Sequence, residues 1–132
     1  LIATLDSDLQ DDPKELMNLV NKLNDADVIV GWKKNRLDPL EKRLASKVFN
    51  FFIIIFSGLK IMDSNSGLKV LKREVAKSLN LYGGRHRYIP LLAHQKNFLV
   101  SETPVHHRER KFGESKYGNE RYKDGFFDFL IR

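Results

Sequence analysis

An α/β fold with a mostly parallel sheet and flanking helices is what three neighbouring stretches of this 132-residue chain predict. Leu1-Ile2-Ala3-Thr4-Leu5 is a short uncharged run that stops in a cluster of carboxylates, the pattern of a buried strand whose carboxyl end opens into a loop. From Pro13 to Leu23 the apolar residues Leu16, Leu19, Val20 and Leu23 recur at helical spacing, as on the face of a helix that packs on a sheet. Asp27-Val28-Ile29-Val30-Gly31-Trp32 then reads as the next buried strand. Strand, helix and strand in this order make a βαβ unit, which is parallel and right-handed almost without exception. Ligands of open α/β sheets bind outside the carboxyl ends of the strands, so the acids after Leu5 are the first place to look for a site.

Asp6 and Asp8 stand two apart in that loop, where both carboxylates can converge on one cation, with Gln10 adding an amide oxygen or a bound water. Hard oxygen donors suit Mg²⁺ or Mn²⁺, which are commonly held by one or two carboxylates plus substrate phosphates. Asp12 is read as the cap of the helix that Pro13 begins. Asp6 and Asp8 lie too far ahead of that helix to cap it.

The chain is globular in composition, 42% hydrophobic and 30% charged, and its length gives one domain. It has no cysteine, which removes disulfides and thiolate metal sites. The net charge of +6 is unevenly spread: residues 1 to 27 carry seven acids against Lys14 and Lys22, and the bases gather later. That asymmetry suits a metal–phosphate site facing an anionic surface. Nucleic acid is not expected as a partner, because no nucleic-acid-binding pattern is present and the acidic loop repels phosphate without a metal. Leu1 to Leu5 is too short for a signal peptide and lacks its basic start. The longest apolar run, Val48 to Leu59, falls well short of the ~20 residues of a membrane span.

A basic loop from Lys33 leads to Asp38 and Pro39, an N-cap and first helical residue for a helix over 39–59. Leu40, Leu44, Val48, Phe51, Phe52, Ile55 and Leu59 form one face, and Lys42, Arg43 and Lys47 lie near the polar start. A core helix reads this way too, but five large apolar residues from Phe51 to Ile55 cover more circumference than one packing face needs. A basic part beside an apolar surplus is the pattern of an interfacial membrane helix. Arg73 to Leu81 is a short helix, and Phe98 to Pro104 a strand. Arg85 and Arg87, at the start of another helix, are phosphate contacts or solvated bases in equal measure. In 106–118, Gly113 and Gly118 permit close backbone approach, and Arg110, Lys111, Ser115 and Lys116 can donate to a diphosphate.

The string Asp6-Ser7-Asp8-Leu9-Gln10-Asp11-Asp12-Pro13 resembles the D-x-D-L-Q-D-x-P signature of family 2 glycosyltransferases that act on polyprenyl phosphates, the dolichyl-phosphate mannosyltransferase group and its bacterial relatives. Asp63-Ser64-Asn65-Ser66-Gly67-Leu68-Lys69 is similar to the D-x-N-x-G-L-K segment of the bacterial members, and Arg87-Tyr88-Ile89-Pro90 lies in a stretch similar to H-R-[FY]-I-P. His107 to Tyr117 lies in a segment similar to H-x-x-R-x-x-G-x-S-K-[YF]. The resemblance implies part of a GT-A fold and inverting transfer of a sugar from a UDP- or GDP-sugar to a polyprenyl phosphate, with Mg²⁺ or Mn²⁺, at the cytoplasmic face of a membrane. It places metal on Asp6, Asp8 and Gln10, and the reacting centre beside Asp63, with Asp8 acting through the metal. The donor diphosphate falls to Arg110, Lys111, Ser115 and Lys116. The acceptor phosphate falls to Arg43, Ser46, Lys47 and Asn50, with Arg85 and Arg87.

The family's opening strand, its P-x-[YF]-N-E motif and its base-binding acid precede the D-x-D and are not in this sequence. One partial catalytic domain over 1–132 is therefore expected, with an exposed strand edge at Leu1–Leu5, self-association, and no transfer by the chain alone. A membrane-interface binding module without catalysis and a metal-dependent phosphohydrolase are the alternative readings.

Overall fold

The computed structural model describes residues 1–7, 10–34, 44, 47–48, 51–52, 54–55 and 57–106, with 83 and 84 described by backbone alone. In chain order the elements are β1 (Ile2–Thr4), α1 (Glu15–Lys22), β2 (Val28–Lys33), β3 (Lys69–Leu71), α2 (Arg73–Ser78), a 3-10 turn (Gly83–Tyr88), α3 (Ile89–Gln95) and β4 (Val100–Val105). The four strands form one sheet in the order β1-β3-β2-β4. β2 and β4 are parallel, and β3 runs antiparallel to both β1 and β2. Three strands thus share a direction and one opposes them, which makes the sheet mixed within the expected α/β class. β1 and β2 do run the same way on either side of α1, but they are not neighbours. The chain enters β3 from the loop at their carboxyl ends, so β3 runs back between them.

Side chains alternate across a strand, and here each face meets its own helical layer. Val28, Val30 and Leu71 pack with Leu59, Ile61, Val75, Leu79, Ile89, Leu91 and Ala93. Ile29, Val70, Leu68 and Val105 pack with Leu19, Leu23 and Ala26. Three layers result, with the sheet in the middle. Gly31 lies on the α1 side, where an added Cβ would come within 3.1 Å of Leu68 and 3.2 Å of Val105, so the missing side chain lets β4 and the strand-entry residue Leu68 close over β2. Among the described residues β1 pairs on one side alone, and Leu1, Ile2 and Leu5 are exposed. Leu1–Leu5, expected as a buried strand, is thus a short and largely exposed strand among the described residues, because β3 covers one side of it alone.

Element ends follow local chemistry. Asp12 Oδ1 accepts the N–H of Lys14 at 3.1 Å and its carbonyl accepts that of Glu15 at 3.0 Å, so Asp12 turns the chain into α1 as expected, although the helix begins two residues after Pro13. The helix expected to reach Leu81 stops at Ser78, because Leu79 turns to extended backbone and buries its side chain in the core. The stretch of Arg85 and Arg87 is a 3-10 turn ahead of α3. α3 ends in a Schellman motif: Asn97, at φ 64°, donates to the His94 carbonyl and Phe98 to that of Ala93. β4 starts at Val100, two residues later than expected.

Asp27 pins the other end of the sheet. Its Oδ1 lies 2.8 Å from Lys72 Nζ at the end of β3, and its Oδ2 accepts the N–H of Leu99 ahead of β4 at 2.9 Å. The Lys72 bond and then the Leu99 N–H hold the Asp27 carboxyl below its usual range, against a small opposing effect of burial. A depressed carboxylate gives stability that is full above the unfolded pKa of about 4 and drains as the pH falls through the folded value. Asp27→Asn is therefore expected to cost about 1 kcal/mol at neutral pH, and the gap to wild type in urea unfolding should narrow toward pH ~3. A gap equal at both pH values would show that the ion pair is not its source.

Of the helix expected over 39–59, the described residues Leu44, Lys47, Val48, Phe51, Phe52, Ile54, Ile55 and Ser57 are helical, while Gly58 and Leu59 lie past its end and Leu59 is buried in the core. Leu44, Val48, Phe51, Phe52 and Ile55 are between 40% and 65% exposed, which places an apolar stripe in solvent. Gly58, at φ 72°, ends this helix, donating to the Ile54 carbonyl, and His94 Nε2 contacts the Ser57 carbonyl at 3.1 Å. Among the described residues no helix is long and apolar enough to cross a membrane.

Candidate active site at the carboxyl ends of the strands

Where β1, β2 and β4 end and β3 begins, the chain buries a group of charged side chains. Asp11, Lys33, Asp63 and Lys69 are each at most 9% exposed, and the buried hydroxyls of Ser64 and Ser66 lie in the same loop as Asp63. Each arrives by a simple route. Lys33 closes β2 on the α1 side of the sheet, and Asp11 stands in the loop that leads into α1. Their Nζ and Oδ1 meet at 2.9 Å. The other oxygen of Asp11 accepts the Asp6 N–H at 3.2 Å, which folds the acidic loop back over the end of β1.

Lys69 opens β3 on the opposite face, paired in register with Thr4 and Val30. Its ammonium donates to the Ser66 carbonyl. Burial pulls its pKa down to about 8; Asp6, Asp63 and Asp11 hold it up against that, and Lys33 pushes it further down. The five groups thus form one electrostatic cluster. Lys69 remains mostly ammonium at neutral pH, and its burial penalty weakens as the pH rises from about 8 toward the unfolded value of ~10.4, where the unfolded chain binds more protons.

The two motif segments meet physically. A Cβ on Gly67 would lie 2.3 to 2.4 Å from all three carboxyl atoms of Asp6, so the Asp6 carboxylate sits directly against the glycine backbone. Thr4 Oγ1 donates to the Gly67 carbonyl at 2.8 Å and fixes the loop to β1. Asp63 is 2% exposed, and its loop closes as a turn in which Ser66 N–H reaches the Asp63 carbonyl at 3.2 Å. Glu102 of β4 approaches the same loop and accepts the Met62 N–H at 2.7 Å. Its pKa is raised by burial first and by the nearby Asp63 charge, with the Met62 and Asp63 amides opposing.

Asp6 and Asp63, two of the residues singled out from the sequence, are therefore brought together, with Gln10 partly buried in the adjoining loop. Arg85 stacks on the Tyr82 ring at 4.2 Å, and the buried Arg87 Nε has no hydrogen-bond partner. Lys47 is exposed on its helix. Asp8, Arg43, Ser46, Asn50, Arg110, Lys111, Ser115 and Lys116 lie outside the described residues. Sequence reasoning missed Lys33, Lys69, Asp11 and Glu102 as members of the site. Lys33 and Lys69 carry one legible signal, a charge inside an otherwise apolar strand, whereas Asp11 and Glu102 read like solvated acids.

In charge the cluster is unbalanced: Asp6, Asp11, Asp63 and Glu102 stand against Lys33 and Lys69. Among the described residues no group of three or more His, Asp or Glu is arranged to hold a metal ion. The hard carboxylate of Asp6, at the open end of the sheet, is the kind of donor that takes a divalent cation with one or two protein ligands and completes the shell from a bound phosphate.

No family model matches the chain. It is 37% identical over 135 residues to the dodecaprenyl-phosphate galacturonate synthase of Rhizobium johnstonii, covering 98% of this chain and 40% of that protein. It is 36% identical over 131 residues to the undecaprenyl-phosphate 4-deoxy-4-formamido-L-arabinose transferases of Salmonella paratyphi B and Salmonella newport, again covering 98% of this chain and 40% of each relative. The chain thus spans about 40% of the length of the curated relatives it matches. With the acidic loop seated on the glycine loop at the carboxyl ends of an α/β sheet, the chain is similar along nearly its whole length to these polyprenyl-phosphate sugar transferases.

Proposed function

We propose that this chain supplies the leaving-group and acceptor side of a glycosyltransferase that moves a sugar, with inversion, from a nucleotide-diphosphate sugar to a polyprenyl phosphate. The observation that carries the reading is the contact of Asp6 with Gly67 beside buried Asp63 and Lys69. It joins two motif segments 61 residues apart at the end of the sheet where ligands bind. An oxygen of the acceptor phosphate attacks the anomeric carbon, the bond from that carbon to the diphosphate breaks, and the nucleoside diphosphate leaves with the electron pair. The acceptor phosphate is already anionic near neutral pH, so no hydroxyl has to be deprotonated. The work of the site is to separate two anionic substrates and stabilise the departing diphosphate.

Asp6, with Asp8 and Gln10, would hold Mg²⁺ or Mn²⁺, which neutralises the departing diphosphate when bound. Asp11 fixes the turn of that loop through the Asp6 N–H, and Lys33 balances Asp11. Asp63 orients the acceptor or balances charge at the anomeric carbon, with Lys69 beneath it. Arg110, Lys111, Ser115 and Lys116 bind the donor diphosphate. Arg43, Ser46, Lys47, Asn50, Arg85 and Arg87 bind the acceptor phosphate.

Transfer of label from a panel of UDP- and GDP-sugars, UDP-galacturonate included, to undecaprenyl phosphate by the full-length protein tests the reading, alongside Mn²⁺ titration with and without UDP or GDP. Mn²⁺ is expected to bind weakly alone and more tightly with the diphosphate, and the double variant Asp6→Asn, Asp8→Asn should lose that coupling. Release of sugar 1-phosphate and nucleoside monophosphate without lipid product would indicate a phosphohydrolase, and binding indifferent to metal and nucleotide would indicate a membrane module.

The exposed stripe of Leu44, Val48, Phe51, Phe52 and Ile55 suits a helix lying in the membrane surface at the cytoplasmic face, where the polyprenyl phosphate is met. Flotation with phosphatidylglycerol liposomes is expected and should fall sharply in Phe52→Asp. Undiminished flotation in that variant would remove the helix from the membrane.

A further inference from the structure

One row crosses the sheet from β1 to β4 as Thr4, Lys69, Val30 and Glu102, each in register with the next. Partners in register point to one face, so three polar side chains rise together around a single valine. All three grip the loop 62–67. Thr4 donates to the Gly67 carbonyl, Lys69 donates to the Ser66 carbonyl, and the Glu102 carboxylate accepts the amide of Met62 at 2.7 Å and also that of Asp63. The hydroxyl and cation take carbonyls at the end of the loop, and the anion takes amides at its start, so each kind of backbone group meets its proper partner.

The Glu102 carboxylate is engaged by two successive main-chain N–H groups, those of Met62 and of Asp63 itself. It lies close enough to Asp63 that the Asp63 charge disfavours its own. Two carboxylates this near each other need a reason to be kept, and the amide pair supplies one. The same bonds set the backbone at Asp63, whose side chain has to enter the site at 2% exposure.

We propose that Glu102 is a positioning residue for Asp63, acting through the Met62 and Asp63 amides; this rests on the transferase reading given above for Asp63. Hydrogen exchange at those two amides and steady-state kinetics of the full-length protein test it, using undecaprenyl phosphate and the best donor of the panel. In E102Q, one acceptor oxygen becomes an N–H₂ that faces an amide, so protection of Met62 and Asp63 should fall. The kcat should fall about tenfold with KM for the donor held, since a displaced reacting group loses rate without losing ground-state binding. E102D, which keeps the charge on a shorter stem, should recover part of kcat, and it carries the same test if E102Q melts below the assay temperature. Unchanged kcat in E102Q, or a raised KM with kcat intact, would overturn the proposal. Asp63→Asn separates the two levels: if it collapses kcat while E102Q does not, the clamp alone fails. If Asp63→Asn itself leaves kcat untouched, the role of Asp63 fails and the proposal falls with it.

Discussion

Gly67→Ala is expected to abolish most transfer by the full-length protein, with a loss of about 100-fold, while leaving the fold nearly as stable as before. The expectation comes from one close approach. The new Cβ would stand 2.3 Å from Asp6 Cγ and Oδ2 and 2.4 Å from Oδ1, where carbon contacts settle near about 3.5 Å. Asp6 is short and its N–H is tied to Asp11, so its carboxylate cannot slide aside while keeping its place. It has to rotate out of the cluster with Asp63 and Lys69. The backbone itself does not need the glycine, because Gly67 is not among the described glycines with positive φ, and an alanine there is not strained. Position and fold are thereby separated in a single variant. Mn²⁺ binding in the presence of UDP should weaken along with transfer, and the melting temperature should hold. Full transfer by Gly67→Ala would place the reacting centre away from Asp6.

The same contact shows what the chain spelled out in advance. Asp6 stands in one motif segment and Asp63 and Gly67 in another, and the fold seats Asp6 on Gly67 with Asp63 beside Lys69. α1 and β2 were legible because periodicity is local: Leu19 and Leu23 are buried where helical spacing puts them, and Val28 to Gly31 form a continuous buried run. The reversal of β3 was not legible, since the direction of a three-residue strand is fixed by where the chain enters the sheet and not by any pattern within Lys69–Leu71. Nor were the burial of Lys33 and Lys69 and the engagement of Glu102. In the sequence Lys33 stands beside Lys34 and Asn35 as the start of a basic loop. What buries its charge is a partner 22 positions earlier, and the gain from such pairing depends on geometry that composition does not carry. Asp11 is the converse case: among four acids in seven residues, it alone is both buried and tied to a lysine and an amide among the described ones.

That pair underlies the second large effect. Lys33→Met and Asp11→Asn are each expected to cost about 3–5 kcal/mol, because removing one partner of a buried ion pair leaves the other without compensation. Lys33 is 9% exposed and the Asp11 side chain 2%, so water cannot replace the missing partner as it would at a surface. Against a total stability of about 5–15 kcal/mol for a domain, either change takes a large share. Replacing both at once, Lys33→Met with Asp11→Leu, should recover most of the loss, since a well-packed apolar pair often does as well as a buried ion pair. Function should not recover with it. The Asp6 N–H donates to Asp11 Oδ2, and a leucine offers no acceptor, so the acidic loop loses the bond that turns Asp6 toward Gly67. Urea unfolding of the two single variants and the double measures the first half of this expectation, and calorimetry of Mn²⁺ binding with UDP measures the second. A double variant that is stable and still couples metal to diphosphate would mean that Asp11 balances Lys33 without holding Asp6. Single variants within ~1 kcal/mol of wild type, the range of exposed pairs, would mean that water reaches the pair.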